Sequence, residues 1–453
     1  MQTLNVAVLY LLSFKAFVLL PAIIFVLALV FGIKPRTAAQ SALTLGIGFI
    51  GIFMTFDFYV GIINPVIKAL VARTGLDFAV LDTGWIPLSV VSWQYPLAPL
   101  LLVSFMAINA LMLAARKTRT VNIDVWNYWH VIFVSAAVHA ATGKALVAVV
   151  FGLAAFALTL KISDWSAPSA NRESGMRGIC IPHLSGLTYY PIGVAGNALI
   201  DRVPGLRSLR ADPEALKRRI GLLGEPMVIG FFLGAALAVA AGYPFKATAE
   251  LAVSFAGVIY ILPLMCGILG GALVPISEGM KGFIQRRFPD MGETFIGLDV
   301  AVLFGIPSVM VTALLLIPAS LVLAFVLPGV NFIPLGDLTN LTVPAAMICL
   351  ATGGNIVRSF LIGIPVVIGN LYFASALAPM FTRMAAQANY RVEGYDGIFT
   401  SYLDGGNLLR GWLVYLSEGN LIALAAIPAV ALLLWLARRA ASVERDTGNL
   451  PRG

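Results

Sequence analysis

Long apolar runs alternate with short polar or basic loops along almost the whole chain. Uncharged runs of about 20 residues are typical of helices that cross a bilayer. Several runs are shorter or are interrupted by Gly and Pro, which indicates broken or re-entrant helices. The pattern therefore predicts an all-α polytopic membrane protein, with apolar segments at residues 4–33, 41–56, 57–70, 82–115, 122–139, 144–160, 178–200, 225–242, 249–270, 295–307, 309–327, 341–350, 359–377 and 421–436.

Composition supports the same class. Of the 453 residues, 59% are hydrophobic and 11% are charged, whereas soluble domains carry about 25% charged residues. No basic segment precedes the first apolar run, so we expect that run to be retained as a membrane helix rather than cleaved as a signal peptide. The net charge of +8 comes from basic loops with few aromatic side chains, so we expect no nucleic-acid partner.

The distribution of Lys and Arg predicts the orientation of the spans. Cytoplasmic loops are enriched in basic residues, which assigns to the inside the stretches 34–36, 116–119, 202–219, 281–287 and 438–439. No basic residue precedes Lys15, so the N-terminus is predicted to lie outside and the C-terminus in the cytoplasm. Termini on opposite sides require an odd number of spans, and about eleven fits the apolar runs.

The basic loop near the middle of the chain divides the spans into two sets. We predict a first membrane half at residues 1–200, a cytoplasmic loop at 201–224, a second half at 225–437 and a charged tail at 438–453. The second half then starts from the opposite side, which predicts inverted topology. Each half has a polar segment interrupted by Gly and Pro, at residues 178–191 and 295–307. The symmetry rests on topology, because the halves show no clear residue-by-residue identity.

Isolated polar side chains in apolar surroundings are the candidates for function, because charge at membrane depth is costly. His183 follows Pro182 in a broken segment, Glu225 opens an apolar run, and Asp299 has no basic residue within one helical turn. Structural alternatives exist: His183 hydrogen-bonded to free carbonyl groups, or Glu225 stabilised at a helix N-terminus. We expect His183 and Glu225 to face a polar cavity between the two halves.

A second set of candidates lies at the start of the segment 122–139. Asp124, Asn127 and His130 recur at a spacing of three, which places them on one face of a helix. The alternative is the polar end of a helix that enters the membrane through an aromatic belt. Trp85 is either a ring that packs on substrate or an anchor at the membrane interface.

These side chains together favour a neutral sugar or sugar alcohol. Carboxylates accept hydrogen bonds, neutral imidazole both donates and accepts, and an aromatic ring packs against C–H groups. The membrane segments carry little fixed positive charge, which disfavours an anion. The sequence contains no Walker A motif and no His/Cys spacing typical of a metal site, and its three cysteines stand apart, so we expect no cofactor or metal.

Six motifs are spread over most of the chain: Thr120-Val-Asn-Ile-Asp-Val-Trp-Asn-Tyr-Trp-His130, Ile181-Pro-His183, Gly224-Glu-Pro226, Phe295-Ile-Gly-Leu-Asp299, Pro334-Leu-Gly-Asp337, and Gly354-Asn355 with Arg358. In this order they resemble the galactitol-type enzyme IIC, the membrane component of a phosphoenolpyruvate-dependent sugar phosphotransferase system, in the ascorbate–galactitol superfamily. The resemblance implies a homodimeric, elevator-type carrier of the bacterial inner membrane. In such a carrier, a core that holds the sugar moves against a dimerising scaffold.

The resemblance also implies roles for particular residues. It places His130, His183 and Asp299 in the sugar site, with Glu225 as a further candidate and backbone groups at Gly354 nearby. The full set of expected substrate-binding residues is His183, Asp299, Glu225, His130, Trp85, Asn127 and Gly354. No residue of this chain is expected to be catalytic by itself. The resemblance implies a soluble IIB protein that passes phosphate from its cysteine to the bound polyol, and a IIA protein that supplies IIB.

Two functions follow from these expectations. The first is a permease for galactitol or a related hexitol or pentitol, since Leu184 and Val300 depart from the family pattern beside the expected site. The basic loops at 202–219 and 281–287 are then docking surfaces for IIB. The alternative is a proton-coupled secondary transporter of a neutral polyol or sugar, in which Glu225 or Asp299 carries the proton.

Overall fold

The computed structural model describes residues 14, 16–73, 78–208, 211–287, 293–392 and 395–446. The start of the first expected span, Lys15 and residues 447–453 of the expected tail lie outside the described residues. Within them the chain is mostly helical, as the apolar pattern predicts. Exposed apolar side chains such as Leu43, Met54 and Val253 cover outer faces of the long helices. Soluble monomers rarely expose such continuous apolar surface.

The first part of the chain contains eight helices and three short strands among the described residues. They are α1 Ala16–Val30, α2 Pro35–Ala72, β1 Val80–Asp82, α3 Ile86–Gln94, α4 Ala98–Ala114, β2 Thr120–Asn122, α5 Trp129–Thr142, α6 Ala145–Ser174, β3 Ile179–Cys180, α7 Leu184–Leu187 and α8 Tyr189–Ile200. A short helix, α9 Pro213–Ile220, lies in the loop that follows.

The second part follows a similar order, with one helix instead of two between its first two strands and three instead of two after its last strand. It consists of α10 Pro226–Ala240, α11 Phe245–Arg287, β4 Phe295–Gly297, α12 Pro307–Val326, β5 Phe332–Ile333, α13 Thr342–Thr352, α14 Ile356–Gln387, β6 Ile398–Thr400, α15 Leu408–Ser417, α16 Leu421–Ala425 and α17 Ile427–Asp446. In both parts a helix pair leads to a strand, and two further strands follow. A left-handed glycine ends the corresponding helices α5 and α13, at Gly143 and Gly353.

Six of the described helices are long and apolar enough to cross a membrane. The number rises to eight if two bent pairs each count as one span. In these pairs α3 and α4 meet at 91°, and the segment Pro213–Gly224 meets α10 at 59°. These bent pairs are not the expected broken segments. The segments 178–200 and 295–307 are each a short strand followed by short helical pieces. The number of about eleven spans and the inverted orientation of the halves stay predictions.

Two helices are longer than the apolar pattern predicts. The expected segments 41–56 and 57–70 form the single helix α2, and the basic stretch 281–287 continues α11. Asp57 points to the exposed side of α2, so it does not interrupt the helix. Proline inside these helices is accommodated as well, as is common when neighbouring groups satisfy the freed carbonyls.

The strands form two parallel sheets, which the apolar pattern does not predict. Sheet I has the strand order β5-β1-β6, and sheet II has the order β2-β4-β3. In sheet I, Val80 pairs with Phe332 and with Ile398. In sheet II, Ile296 pairs with Val121 and with Ile179. Each sheet thus has a central strand from one half of the chain and outer strands from the other, so the two halves are interlocked.

The helices form two groups around these sheets. Helices α1, α2, α10 and α11 pack mainly on one another, and the remaining long helices surround the sheets. Small residues allow the close approach of α2 and α11: a Cβ at Gly48 would lie 2.9 Å from Leu269 Cβ, and one at Gly51 would clash with Met265 Sδ. This division separates a helical wall from the part of the molecule that holds the buried polar residues.

Candidate functional site

Polar side chains follow all three strands of sheet II. Asp124 lies two residues after β2, His183 lies three after β3, and Asp299 lies two after β4. Because the strands are parallel, their carboxyl ends meet at one edge and bring these residues together. We use the name Asp–His cluster for Asp124, Asn127, His130, His183 and Asp299.

Two carboxylates of this cluster share one amide group. Asn127 Nδ2 donates to Asp124 Oδ2 at 2.7 Å and to Asp299 Oδ2 at 2.5 Å. Asp299 Oδ1 accepts from the Ala301 N–H at 2.7 Å. Asp124 Oδ1 is buried and accepts no hydrogen bond from the described part of the chain. A buried acceptor without a donor is costly, so this atom marks a place where a ligand hydroxyl can donate.

Two histidines complete the cluster. His130 Nε2 and His183 Nε2 are 3.0 Å apart, and both residues are buried. Pro182 holds the chain extended before His183, which occupies the N-cap position of α7. Sheet II leaves no room beside this proline: a Cβ at Gly297 would lie 2.6 Å from Pro182 Cγ. The glycine in β4 therefore allows the segment with His183 to approach the segment with Asp299.

The local structure around Asp124 differs from the sequence expectation. The segment 122–139 was expected to be a helix with Asp124, Asn127 and His130 on one face. It is instead a strand ending at Asn122, a 3₁₀ turn at Val125–Tyr128 and then α5. Asp124 and Asn127 are still hydrogen-bonded, because a 3₁₀ turn also brings residues three apart together.

Sequence reasoning missed an ion pair behind His130. Arg410 Nη1 lies 2.7 Å from Asp404 Oδ1, and Arg410 Nη2 lies 2.7 Å from His130 Nδ1. Ser185 Oγ donates to Asp404 Oδ1 and accepts from Arg410 Nη2. An arginine in the apolar run of α15 was the available signal, since charge at such positions is usually functional. Arg410 lies between the predicted apolar segments 359–377 and 421–436, so it was not among the candidates.

Trp85 reaches the cluster through another ring. It stacks on Trp129 with ring centroids 5.9 Å apart, and Trp129 packs on His130 at 3.7 Å. The structure thus places Trp85 one ring away from the histidine pair.

The structure does not bring Glu225 or Gly354 into the cluster. Glu225 occupies the N-cap position of α10 without a side-chain capping hydrogen bond, and it pairs with Lys217 at 2.9 Å. Gly354 lies at the turn before α14, with a φ of 72°. That turn borders a separate polar cavity of about 610 Å³, lined by Asp201, Arg207, Asp212, Thr352, Gly353, Asn355 and Arg358. Of the seven expected residues, the structure therefore groups His130, His183, Asn127 and Asp299, with Trp85 beside them.

The carboxyl end of sheet I also carries carboxylates, but these are saturated. Asp82 accepts from the backbone N–H groups of Gly84, Tyr402, Gly336 and Asp337. Asp337 accepts from Ser401 Oγ and Asn340 Nδ2. These residues join the strand ends and loops of sheet I. Among the described residues, no group of three or more His, Cys, Asp and Glu side chains is arranged to hold a metal ion.

A helical protein with several membrane-crossing segments and a buried polar cluster between interlocked halves has the architecture of a membrane carrier. The family described as "PTS system sugar-specific permease component" matches residues 10–396. The chain therefore belongs to the sugar-specific permease components of the phosphotransferase system, of the galactitol type. It is a multi-pass membrane protein, and its family implies a sugar substrate and cooperation with IIA and IIB proteins.

Individual relatives agree with this family. A permease IIC component of Escherichia coli (strain K12), whose name gives no substrate, is 34% identical over 436 residues, which are 95% of this chain and 98% of that protein. The "PTS system galactitol-specific EIIC component" of the same strain is 31% identical over 405 residues, 89% of each chain. The protein of that name from Escherichia coli O157:H7 gives the same values, 31% over 405 residues and 89% of each chain.

Proposed function

We propose that this permease carries a sugar alcohol, galactitol or a related hexitol or pentitol, and that the Asp–His cluster binds it. The observation that carries the proposal is the unpartnered Asp124 Oδ1 beside Asp299, with one amide group shared between two carboxylates. The cluster has more acceptors than donors. A polyol offers a donor at every carbon, so its hydroxyl groups match this shortage. The galactitol-specific name of two relatives supports the same substrate class.

The charges around the cluster favour a neutral ligand. A carboxylate at Asp299 would repel an anionic sugar at short range. Arg410, a buried cation that contacts His130 of the cluster, is already paired with Asp404. Trp85 and Trp129 add aromatic surface against which the C–H face of a polyol can pack.

We infer that the substrate moves with the part of the molecule that surrounds the sheets. In this proposal α1, α2, α10 and α11 form a scaffold that also makes the homodimer, and the other long helices form the moving core of an elevator. The separate packing of these two groups supports this division. The proposed setting is the bacterial inner membrane, with the N-terminus outside and the C-terminus in the cytoplasm.

Phosphorylation is assigned to the partner protein. The phosphocysteine of IIB donates its phosphoryl group to a hydroxyl of the bound polyol, and the permease positions that hydroxyl. The charged product then cannot return through a site that disfavours anions. IIB is proposed to dock on the loop between the two halves, where Arg202, Arg207, Lys217, Arg218 and Arg219 are exposed.

Uptake into membrane vesicles tests this function. With IIA, IIB and the general phosphotransferase proteins present, uptake of labelled galactitol or a related polyol should require phosphoenolpyruvate and yield the sugar phosphate. Uptake that follows an imposed proton gradient without phosphoenolpyruvate would instead establish the secondary transporter. A screen of hexitols and pentitols for protection against thermal unfolding identifies the substrate, because a ligand that binds only the native state raises the Tm.

A further inference from the structure

The ion pair Asp404–Arg410 does not contact the polyol in the function proposed above, yet both of its residues contact His130 directly. We propose that Arg410, held by Asp404, is a positioning residue that keeps His130 neutral with its proton on Nε2. Through His130 it fixes which nitrogen of His183 carries a proton in the polyol site. This inference rests on the proposed function only where it concerns the polyol.

The hydrogen-bond inventory of the side chains carries the argument. Arginine has donors and no acceptor, so the nitrogen of His130 that lies 2.7 Å from Arg410 Nη2 must accept. His130 Nδ1 therefore has no proton, and in the neutral ring Nε2 carries it. Nε2 points at His183 Nε2 at 3.0 Å, which must then accept in turn. His183 consequently has its proton on Nδ1.

Three contacts oppose this assignment, and each is longer than the contact of Arg410 with His130. His130 Nδ1 lies 2.9 Å from Ser185 Oγ, whose proton goes to Asp404, and 3.2 Å from Asp404 Oδ1, and both contacts favour a proton on Nδ1. The Gly186 N–H approaches His183 Nδ1 at 3.4 Å, which would require that nitrogen to accept. The distance lies beyond the ordinary range for such bonds, whereas the contact of Arg410 with His130 lies at its short end. Neutral His183 has one protonated and one unprotonated nitrogen, so it cannot accept both from His130 at Nε2 and from the Gly186 N–H at Nδ1. The shorter, charge-assisted contact decides the arrangement.

Arg410 is held firmly enough to impose this arrangement of protons on His130 and His183. The residue is 2% exposed. Its Nη1 donates to both the carbonyl and the carboxylate of Asp404 at 2.7 Å. The guanidinium also lies 5.7 Å from the ring centroid of Trp129 and 5.6 Å from that of Phe133. These contacts fix the plane of the Arg410 guanidinium group. A lysine at this position would reproduce the charge but not the planar, two-pronged geometry.

Removal of Arg410 moves the proton of His130 from Nε2 to Nδ1. His183, Asp404 and Arg410 are the titratable or charged groups that contact His130 among the described hydrogen bonds and ion pairs. Asp404 Oδ1 lies 3.2 Å from His130 Nδ1. Without the arginine, this carboxylate draws the proton of His130 to Nδ1, and Nε2 becomes an acceptor. His183 must then donate from Nε2. The polyol site therefore contains the Nε2-protonated tautomer of His183 instead of the Nδ1-protonated one.

Nitrogen-15 NMR of labelled histidine tests the assignment without any sugar. The chain has three histidines, and His139, whose Nδ1 contacts the Tyr95 hydroxyl at 3.0 Å, serves as the internal reference. We expect the full-length permease in nanodiscs to show His130 protonated on Nε2 and His183 on Nδ1. Protonation of His130 on Nδ1 in the unsubstituted protein overturns the proposal.

Polyol affinity against pH separates positioning from a structural role. In Arg410→Met, affinity should fall about tenfold at pH 8, the scale of one lost hydrogen bond. It should recover toward pH 5, because protonated His130 again donates from Nε2. Arg410→Lys should retain the tautomers and most of the affinity. Arg358→Met, which removes another buried arginine, should leave both tautomers unchanged.

Each result decides a separate question. A loss in Arg410→Met that is the same at every pH, with unchanged tautomers, overturns the positioning role. If Arg410→Met does not fold, the tautomers of the unsubstituted protein and of Arg410→Lys still decide. If no polyol binds but the tautomers are those expected, the proposed substrate is wrong and the role of Arg410 stands.

Discussion

Two aspartates hold corresponding positions in the two halves but have different surroundings. Asp124 and Asp337 both follow an outer strand, and each is hydrogen-bonded to an asparagine three residues later. Asp337 also accepts from Ser401 and the Leu403 N–H, so both of its oxygens are used. Asp124 Oδ1 has no such donor among the described residues. The same local motif is therefore saturated in sheet I, whereas in sheet II it leaves one carboxylate oxygen without a donor among the described residues.

This contrast predicts opposite effects for the same substitution. Asp124→Asn should weaken polyol binding by about 10- to 100-fold, the worth of a hydrogen bond to a charged group, with little change in Tm. Asp337→Asn should lower the Tm and leave the affinity of the folded protein nearly unchanged. Isothermal titration and thermal unfolding of both variants measure the two effects. A loss of affinity in Asp337→Asn that equals that of Asp124→Asn would contradict the contrast.

Asp299 and Glu225 provide a second pair. Asp299→Asn keeps an acceptor for the Ala301 N–H but removes the charge beside Asn127, so polyol binding should be lost while the proposed homodimer still assembles. Glu225→Gln removes an ion pair with Lys217 that is partly exposed and worth little. It should therefore bind polyol normally. Binding assays with size-exclusion chromatography test both. Unchanged binding in Asp299→Asn would remove Asp299 from the site.

At the scale of elements, the short strands of sheet II set the geometry of the cluster. A Cβ at Gly297 would lie 2.6 Å from Pro182 Cγ and 3.1 Å from the Asn122 Cα. Gly297→Ala should force β3 and β2 away from β4, at a cost of about 1–3 kcal/mol for overpacking. We expect a lower Tm and a loss of the polyol-dependent rise in Tm.

A glycine whose added methyl group would touch nothing provides the control for the effect of a glycine-to-alanine substitution itself. Gly257, inside α11, has no atom within 4 Å of an added Cβ among the described residues. Gly257→Ala should leave the Tm equal or slightly higher, because alanine favours a helix. If Gly297→Ala behaves like Gly257→Ala in both measurements, the close approach of the strands does not position the cluster.

The long helices could be predicted from the sequence, whereas the short strands could not. The span expected at 309–327 is α12, Pro307–Val326, because its apolar run is long and uninterrupted. Strands of two or three residues leave no alternating pattern, so both sheets went undetected. Local spacing indicated Asn127 and His130. The contact between His130 and Arg410 joins residues 280 positions apart, which no local pattern can reveal.

At the scale of the whole molecule, the exchange of strands makes each half depend on the other. Sheet I needs β1 from the first half, and sheet II needs β4 from the second. The cluster itself combines His130 and His183 with Asp299, and Arg410 also comes from the second half. A carrier built in this way cannot form its polyol site from one half alone.

A permease divided after Gly205, in the exposed loop between the halves, tests this dependence. Fragments 1–205 and 206–453 should co-purify and bind polyol when produced together, and neither should give a stable, monodisperse species alone. A cut after Gly419 keeps all six strands in one fragment, so that fragment should retain measurable binding by itself. Because α17 packs on α6 and α8, its loss should lower the Tm. A stable fragment 1–205 with a folded sheet II would mean that β4 is dispensable, and the interlocked sheets would then not be what holds the cluster together.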